Sequence, residues 1–155
     1  MDASSLRIRP ARPDEGGDLT ALALRAKSHW GYDERFLESA RADLTIGADT
    51  VRSARIYVLE QHGSVLGFYG LVGQPPEGRL EWMFLEPDAI GHGYGRWLCD
   101  DAMQRAKGAG FAVLLIESDR FAEPFYLAMG AERIGAIPSP VDGAPLPLLK
   151  VRIGR

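Results

Sequence analysis

The sequence holds one cysteine, no excess of positive charge and no apolar run long enough to span a bilayer. Each absence removes a class of protein. A single thiol, Cys99, forms no internal disulfide and has no partner ligands at zinc spacing, so no metal site is expected. Within a helical pattern it reads as a small buried apolar residue rather than a nucleophile. A formal net charge of −3 argues against a nucleic-acid binder, which needs a basic face to neutralise phosphates, whereas mild acidity is compatible with a cationic substrate such as an amine. The opening "MDASSLRIRP" lacks a signal-peptide core, so the expectation is a cytoplasmic protein that does not enter a membrane. No internal repeat, low-complexity tract or linker interrupts the chain.

What is present is an ordinary globular balance. With 155 residues, 46% hydrophobic and 25% charged, the chain is expected to form a single domain over residues 1–155 with a real core. "LRIRP" alternates Leu6 and Ile8 with Arg7 and Arg9, a short strand. Leu19, Leu22, Ala23 and Ala26 recur at helical spacing, and Asp33 stands where it would cap a second helix carrying Phe36, Leu37 and Ala40. "ARIYVLEQ" and "SVLGFYGLV", parted by "HG", predict a hairpin, and "RLEWMFLEP" a third strand closed by Pro87. A helix from Tyr94 carries Leu98, Ala102, Ala106 and Ala109. "FAVLLIE" reads as a strand buried on both faces. A short helix over "AEPFYLAMG", a strand near "AERIGAI", a Pro-rich loop and a last strand with Leu149, Val151 and Ile153 inward complete it. The expected order is β-α-α-β-β-β-α-β-α-β-β, a mixed α/β domain.

The most informative stretch is "AIGHGYGRWL", residues 89–98, with glycines at every second position ahead of a helix. A helix start leaves backbone N–H groups unpaired and carries a partial positive charge, which together attract an anion. Glycine removes the Cβ that would keep phosphate oxygens away. His92 and Arg96 offer side-chain donors beside it. No Gly-Lys-Ser/Thr follows, so this is not a Walker loop, and the G-x-G-x-G spacing departs from a dinucleotide fingerprint.

The chain resembles the GNAT N-acetyltransferases. Their Gln/Arg-x-x-Gly-x-Gly/Ala signature falls on Ile90-Gly91-His92-Gly93-Tyr94-Gly95, and their later Phe-Tyr, three residues before a glycine, on Phe125-Tyr126 and Gly130. The element order matches from the first strand to the last. The resemblance implies a mixed central sheet with a splayed strand pair, flanking helices, and acetyl-CoA as cosubstrate with no metal. It places the cosubstrate along Met83, Phe84 and Leu85, over the loop from Ile90 through Gly91, His92, Gly93, Tyr94 and Gly95 to Arg96, and beside Phe121 and Tyr126. Two positions depart from the family pattern: Ile90 stands for the usual Gln or Arg, and Phe121 for a common Asn.

Acetyl transfer to an amine needs a base for the ammonium proton, donors for the developing oxyanion and an acid for the departing thiolate. Glu81 shares strand parity with Met83 and Leu85 and is the candidate base, provided that partial burial tunes it. The resemblance implies an oxyanion donor among the backbone N–H groups near Leu85 and makes Tyr126 the candidate acid. It also puts "SHWGYDERF" over the acceptor, where His29 is a second candidate base and Trp30 and Tyr32 present aromatic faces to a cation. Trp82, opposite in parity, reads as core against a helix. The expected reaction is transfer to a primary amine of a small molecule or peptide. Rival readings are a non-catalytic acyl-CoA sensor and a nucleotide-binding protein. A homodimer is compatible with the sequence.

Overall fold

The computed structural model describes residues 5–153, apart from the side chain of Asp43. Met1–Ser4, part of the stretch read for a leader, lie outside the described residues. Seven strands pair in the order β1-β2-β3-β4-β5-β7-β6. They are β1 (Leu6–Pro10), β2 (Arg55–Gln61), β3 (Ser64–Gln74), β4 (Glu77–Leu85), β5 (Val113–Glu117), β6 (Glu132–Pro138) and β7 (Pro145–Arg152). The helices are α1 (Gly16–His29), α2 (Glu34–Leu44), α3 (Ala48–Ser53), α4 (Tyr94–Gly108) and α5 (Glu123–Ala128). The chain divides into two compact units, Met1–Gly70 with Trp82–Leu98, and Leu71–Glu81 with Cys99–Arg155.

In the first unit, α1 buries the stripe expected of it: Leu19, Leu22, Ala23 and Ala26 are all core. It ends at Gly31, whose φ of 91° is the left-handed conformation that glycine adopts without strain. The Asp33 carboxylate then accepts from the N–H of Phe36 at 2.8 Å and starts α2. β1 pairs antiparallel with β2, Leu6 opposite Gln61 and Ile8 opposite Leu59. His62 and Gly63, with φ of 52° and 81°, form the two-residue turn that "HG" predicts between β2 and β3. α3 is an element the periodicity did not show. Six residues with one buried side chain, Val51, are too few to establish a helical period.

Trp82 is half-buried on β4. Its indole lies across Gly70, where a Cβ would stand 2.3 Å from a ring carbon. Phe84, of the same parity, meets Phe68 at a centroid distance of 5.8 Å. Glycine at position 70 is therefore a packing requirement of the strand pair.

In the second unit, Cys99, Ala102 and Ala106 of α4 are buried together with Phe111. Ala109, expected in that stripe, falls beyond the helix end at Gly108. β5 buries Leu114 and Ile116, but Val113 and Leu115 are only half-buried, so one of its faces is less covered than the apolar run predicts. β5 pairs antiparallel with β7 along its whole length. It pairs parallel with β4 over three residues only, Glu77–Arg79 against Val113–Leu115. Leu149, Val151 and Ile153 are buried as expected. The Pro-rich stretch is the short connection between β6 and β7, closed by Ser139 N–H to Ala144 O at 2.8 Å.

Candidate active site

In the first unit, Glu86 follows β4, and its N–H donates to Leu66 O at 2.8 Å. The resemblance asked for a backbone donor near Leu85, and Glu86 is excluded from that role because its N–H is already committed. A 3-10 turn, Pro87–Ala89, comes next, held by Ala89 N–H to Glu86 O at 2.8 Å and Ile90 N–H to Pro87 O at 3.3 Å. Gly91 and Gly93 then adopt φ of 91° and 80°. The first helical bond of α4 runs from Trp97 N–H to Gly93 O, at 3.2 Å. The N–H groups of Tyr94, Gly95 and Arg96 precede it and have no intrahelical acceptor.

A Cβ at Gly91 or Gly93 would meet no atom within 4 Å. Positive φ is reason enough for glycine at both positions; the result is bare, solvent-facing main chain at a helix start. That surface fits the pyrophosphate of a coenzyme A ester, which needs close approach and several N–H donors. The ring of His92 stacks on Tyr94 at 5.5 Å, and Ile90 and Arg96 are exposed. Met83, Phe84 and Leu85 are half-buried on β4. His92 and Tyr94 also line a cavity of about 610 Å³ together with Arg25, Ser64, Glu86 and Asp88.

The corner between α1 and α2 carries the remaining candidates of this unit. His29 and Trp30 meet edge to face at 5.2 Å, and the indole is 43% exposed, so Trp30 is a surface group and not core. Tyr32 is already engaged on its ring. Phe36 stacks on it at 4.2 Å, and the Lys27 ammonium stands 5.4 Å from its centroid. The Tyr32 ring is half-buried, whereas the Trp30 indole is exposed.

In the second unit, Tyr126 is buried in α5 with Phe125 against it edge to face at 5.3 Å. Burial raises its phenol well above the ordinary value, and neighbouring Cys99 and Asp119 add to the rise. The phenol thus stays protonated at neutral pH, the form an acid requires. Cys99 is buried as expected, its thiol pushed up to about 12 mainly by burial. Phe121 is exposed, its N–H held by Asp119 Oδ1 at 2.8 Å. The Glu81 side chain is 33% exposed, partly buried, and Arg79 stands 3.6 Å from its carboxylate on the same strand. No hydrogen bond links Glu81 to Tyr126.

Two residues of the loop's surroundings were not legible in the sequence. Arg25 of α1 grips Glu86 with two hydrogen bonds, at 2.8 and 2.7 Å. A pair 61 positions apart leaves no local signal. Among the described residues no group of three His, Cys, Asp or Glu gathers to hold a metal, and no helix is long and apolar enough to cross a membrane.

A mixed sheet with a bare glycine turn opening a helix defines an α/β protein whose main-chain donors could meet a phosphate. Comparison with known proteins makes the class specific. Residues 52–130 match the family described as Acetyltransferase (GNAT) domain. Over 151 residues the chain is 30% identical to the peptidyl-lysine N-acetyltransferase YjaB of Salmonella typhimurium, covering 94% of this chain and 97% of that one. Its fold is similar to PaiA N-acetyltransferase from Thermoplasma acidophilum in complex with coenzyme A, with a TM-score of 0.79 and 18% identity over 96% of this chain and 99% of that one. A GNAT family acetyltransferase from Brucella melitensis in complex with acetyl-CoA gives a TM-score of 0.67 and 17% identity, over 97% and 89% of the two chains. The chain belongs to the GNAT acetyltransferases, and it is an acetyl-CoA-dependent acyltransferase.

Proposed function

We propose that the protein acetylates a primary amine, of a peptide or a small molecule, by direct attack on the thioester. The observation that carries this reading is the open main chain at Gly91 and Gly93 ahead of α4. Similarity to a peptidyl-lysine N-acetyltransferase over nearly the whole of both chains favours a lysine side chain among the amines.

When bound, acetyl-CoA supplies an activated acyl group and a thiolate leaving group. The N–H groups of Tyr94, Gly95 and Arg96 hold its pyrophosphate, and Met83, Phe84 and Leu85 line its arm. Glu81 would accept the proton of the acceptor ammonium, directly or through water, its carboxylate being partly buried beside Arg79. In the second unit the Tyr126 hydroxyl would be the proton donor to the sulfur as the C–N bond forms and the C–S bond breaks, with solvent restoring the proton. His29 is the competing base, and Trp30 presents an exposed indole to the incoming cation.

The reading is tested by thermal shift with CoA and acetyl-CoA, followed by a panel of lysine peptides and small amines monitored for free thiol. CoA should raise the melting temperature and NAD and ATP should not. A shift with NAD or ATP alone would overturn the reading. CoA binding with no thiol release from any amine would leave only a sensor.

A further inference from the structure

The glycine loop has few points at which the protein can hold it. Downstream, α4 begins at Tyr94. Upstream, the turn has its own bond from Ile90 N–H to Pro87 O, and three restraints meet at Glu86. Its N–H is bound to Leu66, its carbonyl accepts from Ala89, and its carboxylate lies in the fork of Arg25. Between Ile90 and Gly93 the chain carries two left-handed glycines with open space around both. The Arg25 side chain also lines the cavity that reaches His92 and Tyr94, so the clamp adjoins the loop it would steady.

The pair is half in solvent, with the Arg25 side chain 53% and the Glu86 side chain 26% exposed, so it adds little to global stability. Its geometry is nevertheless bidentate, the arrangement that fixes orientation most tightly. We infer that Arg25 is a positioning residue: by clamping Glu86 it presets the Pro87–Arg96 segment for the pyrophosphate, acting on cosubstrate affinity and not on the chemical step. This rests on the reading that the loop binds acetyl-CoA.

The test is calorimetric titration of CoA into the wild type, Arg25→Gln, Glu86→Gln, the double variant and Gly93→Val, with melting temperatures recorded for each. Either single substitution should weaken CoA about tenfold, equivalent to roughly 1.4 kcal/mol. The double should be no weaker than either single, because both remove one clamp. Melting temperatures should stay near that of the wild type. Arg25→Lys, which keeps the charge and loses the fork, should recover part of the affinity. In turnover, Arg25→Gln should raise KM for acetyl-CoA and leave kcat within about twofold, since only binding is affected. Wild-type affinity in both single variants, with Gly93→Val impaired, would overturn the clamp and spare the loop assignment. Equal binding by wild type and Gly93→Val would instead remove the loop, and the inference with it. Affinity that falls only in step with melting temperature would reduce Arg25 to a structural role.

Discussion

The guanidinium of Arg9 meets the carboxylate of Glu15 in two parallel hydrogen bonds, at 2.8 and 2.9 Å. Its Nε–H donates to Glu60 at 2.9 Å, and Arg7 binds Glu60 from the facing position of β1. Arg12 closes the chain through its N–H to Glu15, at 2.8 Å. Burial works against the charge on Glu60, but hydrogen bonds from Arg7 and Arg9 hold its carboxyl below the ordinary range. For Glu15 the bond from Arg9 dominates and lowers the carboxyl from 4.5 to about 2.

A carboxyl depressed on folding contributes stability that is complete above its unfolded pKa and fades as pH falls through the folded one. The contribution of Glu15 should therefore be whole above pH 4.5 and wane toward pH 2. Glu15→Gln leaves Arg9 partly unpaired in the interior and should cost about 3 kcal/mol near pH 7. Urea unfolding at pH 7 and pH 3 measures it. The gap between wild type and variant should narrow at the lower pH, and a constant gap would take Glu15 out of the acid response.

Gly93→Val should weaken CoA binding at least about tenfold, roughly 1.4 kcal/mol. Two causes act together: the branched side chain stands over the main-chain donors, and φ of 80° disfavours any residue with a Cβ. Titration of a variant whose circular dichroism matches the wild type is the appropriate measurement.

Tyr126→Phe removes one hydroxyl from a buried ring and should leave fold and CoA affinity in place. The single-turnover rate should fall about a hundredfold, the effect expected of a general acid. Because burial lifts the phenol far above neutrality, its ionisation should draw no descending limb between pH 6 and 9. An unaltered chemical rate would leave Tyr126 a packing residue only.

Glu81→Gln and His29→Ala separate the two candidate bases. Loss of the base should slow the single-turnover reaction by about a hundredfold while CoA still binds. The ascending limb of the pH profile must be read against amines of different pKa, since the substrate ionises as well. Full activity in Glu81→Gln with loss in His29→Ala would transfer the role to the histidine. If both variants are fully active, catalysis rests on positioning an already neutral amine.

The sequence carried those features that depend on near neighbours. The stripe Leu19, Leu22, Ala23 and Ala26, the cap at Asp33, the turn at His62 and Gly63 and the helix start after Gly93 all arise within a few residues, and all stand where expected. What escaped is set by distance along the chain or by small size. Arg9 reads as a polar position on a strand, and only the approach of Glu15 and Glu60 makes it a largely buried junction. The Arg25–Glu86 grip joins a helix to a strand end far downstream.

The three-residue pairing of β4 with β5 has a consequence for how the backbone exchanges its hydrogens with water. Rungs at Glu77, Gly78 and Arg79 tie the β5-facing edge of β4 into the sheet; beyond Arg79 that edge leaves the ladder. Amides on it have water as their default partner, so their protection should drop along the strand from slow to fast within a few residues. A strand tied along that edge for only part of its length is stiffest where its rungs are made, at Glu77, Gly78 and Arg79.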